Sequence, residues 1–460
     1  MGIRLRVYYA NSYGNATPFR GVIRFGEMRQ IDLTADELSS ALLGLAEHED
    51  VCILDSCGVG HLGSHWMIAG IRPVEVLEIS GEDPIETLAI FEEHLQKGNA
   101  AVFTISYDLG PKLEDVVTRP GPGGIFSEPD IFISLFDTLV IHDYPSGTTF
   151  LTGNENTFYE TAAQLASLRF VIKKPLSPPN VRANFTCAEY AEAIEAIKEY
   201  IRRGDSYQTN LTRQLRVELP EDMTGETVFA RLRREHPAPF AAFIKRRNST
   251  VISASPERFF KIASGRVSAS PIKGTRPRGM TEPADQMLRA ELASSEKDRA
   301  ENTMIVDLVR NDLGRVCEYG SIEVERLCEI EEHPTLFHLV STISGQLHEE
   351  TSFADVVRAL FPCGSITGAP KIRTMEIIDE IEPAKRGLSM GAIGYFIPER
   401  GFAGLEPGFD LSVAIRTMVV CGRDAAFNVG GGITIDSEPG AEFEETQIKA
   451  KALLDAIGNN

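Results

Sequence analysis

The sequence is short of several things, and each shortage removes a class of protein. It has one tryptophan and seven cysteines in 460 residues. The cysteines are odd in number and scattered, with no C-x-x-C pair. That argues against a disulfide framework or a zinc site and fits reduced thiols in a cytoplasmic enzyme. Positive charge is in deficit: 46 Lys and Arg stand against 66 Asp and Glu, a net charge of -20. Nucleic acid and anionic membrane both need a basic surface, so neither is expected as a partner. No apolar run reaches membrane-spanning length. The first residues, Met1-Gly2-Ile3-Arg4-Leu5-Arg6, lack the apolar core of a signal peptide, and Arg6 stands where a myristoylation motif needs Ser or Thr. There is no fixed-period repeat and no low-complexity tract. The stretch Thr118-Arg119-Pro120-Gly121-Pro122-Gly123-Gly124 holds no G-x-G-x-x-G and opens no helix, so it reads as a surface loop rather than a phosphate loop.

What is present describes a folded protein of mixed α and β structure. Hydrophobic content of 43% and charged content of 24% allow a sizeable core. Alternating runs at Ile3 to Tyr9, Gly21 to Phe25 and Ile131 to Val140 read as strands. Ala35 to Ala46 and Pro84 to Gln96 read as helices. Pro175-Leu176-Ser177-Pro178-Pro179-Asn180 is an extended connector, because prolines disfavour a regular element there. It suggests an N-terminal region of residues 1–174 and a C-terminal region of residues 185–460. In the latter, Tyr190, Ala193, Ile194, Ile197, Tyr200 and Ile201 recur at helical spacing, and Gly204 is placed to cap the helix.

The residues that could carry chemistry lie beyond the connector. Lys273, in Ser270-Pro271-Ile272-Lys273-Gly274-Thr275, stands between an apolar residue and a Gly-Thr turn. Partial desolvation there would favour the neutral, nucleophilic amine, although a lone Lys-Gly is ordinarily just an exposed lysine. A helix from about Ser295 to Asp312 puts Asp298 and Glu301 one turn apart on one face. A second helix after Pro439-Gly440 aligns Glu442, Glu445 and Lys449. Two such acid pairs could converge on Mg²⁺, which takes few carboxylates and keeps its waters; the same spacing equally describes acids at the positive ends of ordinary helices. In a strand from Asp410, Ser412, Ala414 and Arg416 share a face. Small neighbours leave room for a carboxylate on the arginine fork. After the hairpin Gly422-Arg423-Asp424 the return strand ends in Gly430-Gly431-Gly432, where backbone amides can approach a ligand or merely fill a barrel edge. The turn Gly364 to Lys371 exposes amides that could hold an anion, and His338 sits in an apolar run where a histidine is more often core.

Taken together these stretches resemble the chorismate-utilising family, and within it the aminodeoxychorismate synthases, relatives of the anthranilate synthases. The residues that carry the resemblance are Gly204-Asp205 through Asn210-Leu211, Ser255-Pro256-Glu257-Arg258-Phe259, and Pro271-Ile272-Lys273-Gly274-Thr275-Arg276-Pro277-Arg278-Gly279. Ala300-Glu301-Asn302 through Asp307-Leu308, Arg310-Asn311-Asp312 and Gly364 through Lys371 continue it. Ile393-Gly394-Tyr395, Ala414-Ile415-Arg416-Thr417, Gly430-Gly431-Gly432-Ile433 and Glu442 through Lys449 complete it. The N-terminal region matches more weakly, through Ile53-Leu54-Asp55-Ser56 and Tyr107-Asp108.

The resemblance implies an α+β fold, with two packed, largely antiparallel sheets flanked by helices and both regions interleaved into one body. It also implies roles. Aminodeoxychorismate synthases carry lysine in Pro-Ile-Lys-Gly-Thr, where anthranilate synthases have alanine, so Lys273 would attack chorismate while Glu257 moves the proton. Thr275 would orient substrate or lysine, and His338, Thr367 and Lys449 fall on active-site positions. Glu301 and Glu445 match Mg²⁺ ligands, with Asp298 and Glu442 beside them. Arg416 and Tyr395 would hold the pyruvyl carboxylate, helped by amides of Gly430, Gly431 and Gly432. The product would be 4-amino-4-deoxychorismate, a precursor of 4-aminobenzoate and folate, with ammonia from a separate glutamine amidotransferase subunit. Tryptophan is a possible ligand at Ile53 to Ser56, although Asp55 replaces the usual glutamate. An anthranilate synthase, a water-using chorismate isomerase and a catalytically silent binding subunit are the rival readings; Lys273 speaks against the first two.

Overall fold

The computed structural model describes residues 4–9, 25–61, 63–119, 127–173, 177–332 and 336–458. All of the expected strand at Gly21 to Phe25 except Phe25, which opens β2, most of the Thr118 to Gly124 loop, and Pro175 and Leu176 of the connector lie outside them. In chain order the strands begin with β1 (Arg4–Tyr9), β2 (Phe25–Ile31), β3 (Val51–Asp55), β4 (Trp66–Ile71), β5 (Glu75–Ser80), β6 (Ala100–Ile105), β7 (Ile131–Phe136), β8 (Thr138–Asp143) and β9 (Thr148–Asn154). There follow β10 (Asn180–Ala183), β11 (Gln208–Glu218), β12 (Phe240–Lys245), β13 (Thr250–Ser255), β14 (Arg258–Ala263), β15 (Arg266–Ala269), β16 (Ile272–Pro277), β17 (Glu323–Glu332) and β18 (Leu336–Gln346). The last are β19 (Gly368–Ala369), β20 (Ala392–Ile397), β21 (Gly408–Val413), β22 (Thr417–Cys421) and β23 (Asp424–Ile433). The helices are α1 (Ala35–Ala46), α2 (Pro84–Leu95), α3 (Leu109–Leu113), α4 (Phe158–Ser167), α5 (Cys187–Arg202) and α6 (Gly225–Glu235). They continue with α7 (Glu282–Ser294), α8 (Glu296–Leu313), α9 (Phe353–Leu360), α10 (Lys371–Ile381) and α11 (Pro439–Ala456).

Local sequence explains where several helices start. Thr34 with Glu37, and Thr186 with Glu189, close capping boxes on α1 and α5. Ser295 caps α8 by accepting the Asp298 amide. Gly204, at φ +80°, then ends the turn after α5 as expected.

The strands pair antiparallel throughout the described residues and form two sheets of 11 and 12 strands. One sheet runs β1-β5-β7-β6-β20-β21-β14-β15-β18-β16, with β17 beside β18; the other runs β10-β11-β23-β22-β13-β12-β3-β4-β8-β9-β2, with β19 beside β11. Both therefore mix strands from either side of the connector. The sheets pack face to face through Val102, Phe132, Ile141, Ala242, Val251 and Ile393. Their outer faces are covered by helices: α1, α4, α6 and α11 over one, α2, α8 and α9 over the other. A strand such as β6 is thus buried on both sides, which is why Ala100–Ile105 shows no polar alternation.

Two expected strands break at a corner where the chain passes from one sheet to the other. Ile131 to Val140 is not one strand: β7 and β8 lie in different sheets and meet at Asp137. Likewise the strand from Asp410 stops at Val413, and Arg416 stands in the corner before β22 with φ +49°. Alternation cannot reveal such a bend, because both faces are buried on both sides of it.

The order of elements repeats. β2, α1, β3, β4 and β5, then β6, β7, β8, β9 and α4, trace the same path as β11, α6, β12, β13 and β14, then β20, β21, β22, β23 and α11. Across the β12–β3 and β6–β20 pairings both sheets read the same from either side. The expectation of no repeat holds only for a fixed sequence period; the duplication lies in topology.

Candidate active site

The corner between β13 and β14 is Pro256-Glu257, and the corner between β21 and β22 is Ala414-Ile415-Arg416. Backbone bonds zip the two together: Val413 N–H donates to the Glu257 carbonyl at 3.0 Å, and Ala254 N–H to the Arg416 carbonyl at 3.1 Å. Glu257 is buried, and burial pushes its carboxyl above the ordinary range against the opposing pull of Lys273. Ser365 Oγ donates to Glu257 Oε1 at 2.9 Å, and the Ile272 amide also bonds the carboxylate.

Lys273 lies inside β16 rather than before a turn. Its Nζ donates to the Ser365 carbonyl at 3.3 Å. The Gly-Thr that was expected to turn instead makes an irregular step in the pairing with β18, with Gly274 at φ +85°. A Cβ at Gly274 would stand 2.9 Å from both the Asp298 carboxyl carbon and Leu292, so glycine lets β16 lie against α8. Thr275 Oγ1 and His338 Nδ1, paired across β16 and β18, are 2.8 Å apart. His338 is buried and bonded, in keeping with the core reading and also beside the lysine strand.

The acids lie on α8, which packs against β16, and on α11, which packs against β23. Glu301 on α8 is half-buried; burial raises its carboxyl, Lys273 and Lys297 pull it back, and Asp298 and Glu442 add to the rise. Glu442 on α11 is buried, is raised mainly by burial, and accepts a 2.7 Å bond from Ser437 Oγ. Asp298 is bonded to Arg276 Nη2 at 3.2 Å, and Glu445 to Lys449 at 2.6 Å. A side chain at Gly431 would meet Glu442 at 3.1 Å, so the glycine leaves α11 room to bring its acids in. Gly430 and Gly432 press on Leu211 and Gln208. No group of three or more His, Cys, Asp or Glu is gathered as a metal cluster among the described residues. Glu301 and Glu442, both held above the ordinary range with Glu445 close by, nevertheless suit a hard divalent cation that supplies the missing counter-charge.

Arg416 is the clearest ligand signal. It is half-buried, its desolvated setting disfavours the charge, and no hydrogen bond or ion pair to its guanidinium occurs among the described residues. A guanidinium so placed is suited to an anion from outside the chain. Thr367 is fully buried and gives its hydroxyl to the Cys363 carbonyl at 2.7 Å. Tyr395 departs from expectation. It sits on β20 and lines a cleft of about 270 Å³ between the sheets with Asp55, Ser56, Arg258 and Asp410, and burial raises its hydroxyl. Its side chain enters the sheet–sheet layer beside Asp55, not the neighbourhood of Lys273. In that cleft Asp55 is already engaged by Arg233 Nε, the Tyr144 hydroxyl and the Cys57 amide, each at 2.7 Å.

Sequence reasoning missed three residues. Ser365 touches both Lys273 and Glu257, yet spacing in its turn gave no reason to choose it over Thr367. Arg276 neutralises Asp298. Gln208 is fully buried with neither amide atom bonded among the described residues, an unmet polar group beside Gly432.

The family profile described as chorismate binding enzyme matches residues 52–455. The chain belongs to this family. It is 37% identical over 403 residues to aminodeoxychorismate synthase component 1 of Klebsiella aerogenes, covering 85% of this chain and 87% of that one. It is 34% identical over 449 residues to anthranilate synthase component 1 3 of Haloarcula marismortui, covering 89% and 86%. Among solved structures, anthranilate synthase component I of Streptococcus pneumoniae matches with a TM-score of 0.68 at 28% identity, over 78% of this chain and 80% of that one. The chain is therefore an enzyme that acts on chorismate. No helix among the described residues is long and apolar enough to cross a membrane.

Proposed function

We propose that the chain is component I of an aminodeoxychorismate synthase, converting chorismate and ammonia to 4-amino-4-deoxychorismate for 4-aminobenzoate and folate synthesis. The observation that carries this reading is Lys273, an amine bonded to the same serine as Glu257. In the proposed sequence the Lys273 amine forms a bond to ring carbon C2, the ring double bonds shift, and the C4–OH bond breaks. Glu257, held above the ordinary carboxyl range by burial, gives the proton that lets the hydroxyl leave as water. Ammonia then bonds to C4 and the lysine is expelled from C2. The hydroxyl is exchanged for an amino group, and the pyruvyl group stays.

Arg416, lacking a partner within the described chain, is proposed to take the substrate's side-chain carboxylate, with amides at Gly430 to Gly432 nearby. Mg²⁺ would withdraw charge from the ring carboxylate, and Glu301, Glu442 and Glu445 would hold it, with Asp298 at the edge beside Arg276. Thr275 and His338 would steady the lysine strand, and Lys449 would keep Glu445 in place. Ammonia is proposed to come from a glutamine amidotransferase subunit. Tryptophan in the Asp55 cleft is disfavoured, because Asp55 already carries three partners.

A second reading, anthranilate synthase component I, is favoured by the comparable identity to such enzymes. Product analysis separates the two. Purified protein with chorismate, Mg²⁺ and excess ammonium should yield a product that retains the pyruvyl group. Anthranilate with free pyruvate would reject the lysine assignment.

A further inference from the structure

The turn that carries Ser365 is held from behind by a residue that touches neither Lys273 nor Glu257. Arg386 is buried, with 4% of its surface exposed. Its guanidinium donates to the Ile366 carbonyl at 3.0 Å and to the Asn210 carbonyl at 2.8 Å. It also forks onto Glu382, at 2.9 and 2.7 Å. Glu382 in turn accepts the Thr212 amide at 2.7 Å. One side chain thus joins the Ser365 turn, strand β11 and the end of α10.

The remaining face of the guanidinium lies 4.5 Å from the ring of Tyr107, a residue of the first repeat. That ring is itself pinned. Tyr107 N–H and Ser106 Oγ both donate to the Gly387 carbonyl at 2.8 Å, and Gly387 N–H donates to Asp108 Oδ2 at 3.1 Å. The Tyr107 hydroxyl is buried and makes no hydrogen bond among the described residues, so the ring serves as a surface rather than as a polar group.

A buried ion pair is a poor source of stability, because desolvation offsets its attraction. A planar fork with fixed donors is a good source of geometry. We propose that Arg386 is a positioning residue for the reaction on chorismate. It fixes the Ser365 turn so that one residue can align Lys273 and Glu257, and the Tyr107–Asp108 turn of the first repeat fixes Arg386. This rests on the proposed roles of Lys273 and Glu257. Lysine cannot substitute, since a single ammonium cannot span Ile366, Asn210 and Glu382 together.

The test uses the full chain, chorismate disappearance at saturating ammonium and Mg²⁺, and thermal midpoints. Arg386→Lys should lower kcat about 50-fold while leaving KM for chorismate within about threefold, because misplacement of a reacting group acts on the chemical step. Tyr107→Leu should show the same split at about 5-fold, and Tyr107→Phe should match wild type, since only the unused hydroxyl is lost. If Arg386→Lys does not fold, the Tyr107→Leu and Tyr107→Phe pair carries the test. A folded Arg386→Lys variant with wild-type kcat, or equal losses in Tyr107→Leu and Tyr107→Phe, would overturn the positioning role. A wild type that yields anthranilate would overturn the product assignment and leave this comparison intact.

Discussion

Arg72 and Arg416 stand at corners where the chain crosses between the two sheets, and both take left-handed backbone, at φ +51° and +49°. Their side chains meet opposite fates. Arg72, in the first repeat, donates to Glu160 at 2.7 Å and to Thr161 at 3.1 Å, with Glu49 at 3.7 Å. Arg416, in the second, finds no partner in the described chain. Asp137, at the first-repeat corner that corresponds to Arg416, is likewise occupied, by Thr138 and Asn154. The same fold therefore closes both first-repeat corners with internal bonds, whereas in the second repeat the Glu257 corner is bonded and the Arg416 corner is left open. Function resides in what the corners withhold from the protein, since the strained backbone is common to both halves.

The sharpest way to break this comparison is to remove chemistry from the second repeat alone. Lys273→Ala should cut aminodeoxychorismate formation by at least about 10³-fold, the scale expected when a covalent route is lost, and could divert chorismate to anthranilate or a water adduct. Retained product formation, read by chromatography with mass detection, would sink the nucleophile assignment. Arg416→Gln should reduce kcat/KM about 100-fold by removing a charged hydrogen-bond donor from the substrate carboxylate. Its thermal midpoint should not fall, because no internal bond is lost. Arg72→Ala should invert that pattern: a loss of about 1 to 2 kcal/mol in denaturant unfolding, for a partly exposed ion-pair cluster, with unchanged kinetics. If Arg416→Gln unfolds the protein, or Arg72→Ala alters KM, the two corners are not the contrast described.

The helices that close each repeat sharpen it further. Glu445 belongs to α11, whose counterpart in the first repeat is α4. Glu445→Ala should raise the Mg²⁺ concentration for half-maximal activity about 10-fold, since one carboxylate of a sparse ligand set is lost. An unchanged Mg²⁺ titration would remove Glu445 from the proposed cation site.

These outcomes bear on what the sequence could tell. Helices α1, α5 and α8 were readable because caps and 3.6-residue periodicity are local, and α11 because Pro439 opens it and its acids recur at helical spacing. Lys273, Glu301 and Arg416 were singled out by local pattern and given roles by motif resemblance, Glu257 was found through the resemblance alone, and the fold brings them to neighbouring corners and strands. The corners themselves were not readable. A strand buried on both faces carries no alternation to mark its end, so β7 and β8 looked like one strand, as did β21 and the corner after it. Tyr395 was misplaced for a related reason. Proximity in a motif does not say which side of a sheet a residue faces, and its side chain turned out to line the cleft with Asp55. Ser365 and Arg386 act through contacts of long sequence separation, which no window of residues reveals.

The smallest effect tests the seam between the repeats. Asp108 is pushed up to about 6 from its ordinary 3.8, first by burial and then against Lys385 and the Gly387 amide, with Asp130 and Glu128 adding to the rise. A carboxyl whose folded value is raised favours the folded state below about pH 4. It loses that contribution as pH rises through 6, above which burial of the charge is a constant penalty. Asp108→Asn keeps an oxygen for the Gly387 amide and removes the charge. The variant should be more stable than wild type by about 1 kcal/mol at pH 8, and the gain should shrink as pH falls toward 4. Denaturant midpoints at pH 8 and pH 5 measure the difference. A gain that is equal at both values would mean that Asp108 is not the titrating group, and that the seam depends on packing around Tyr107 rather than on a buried charge.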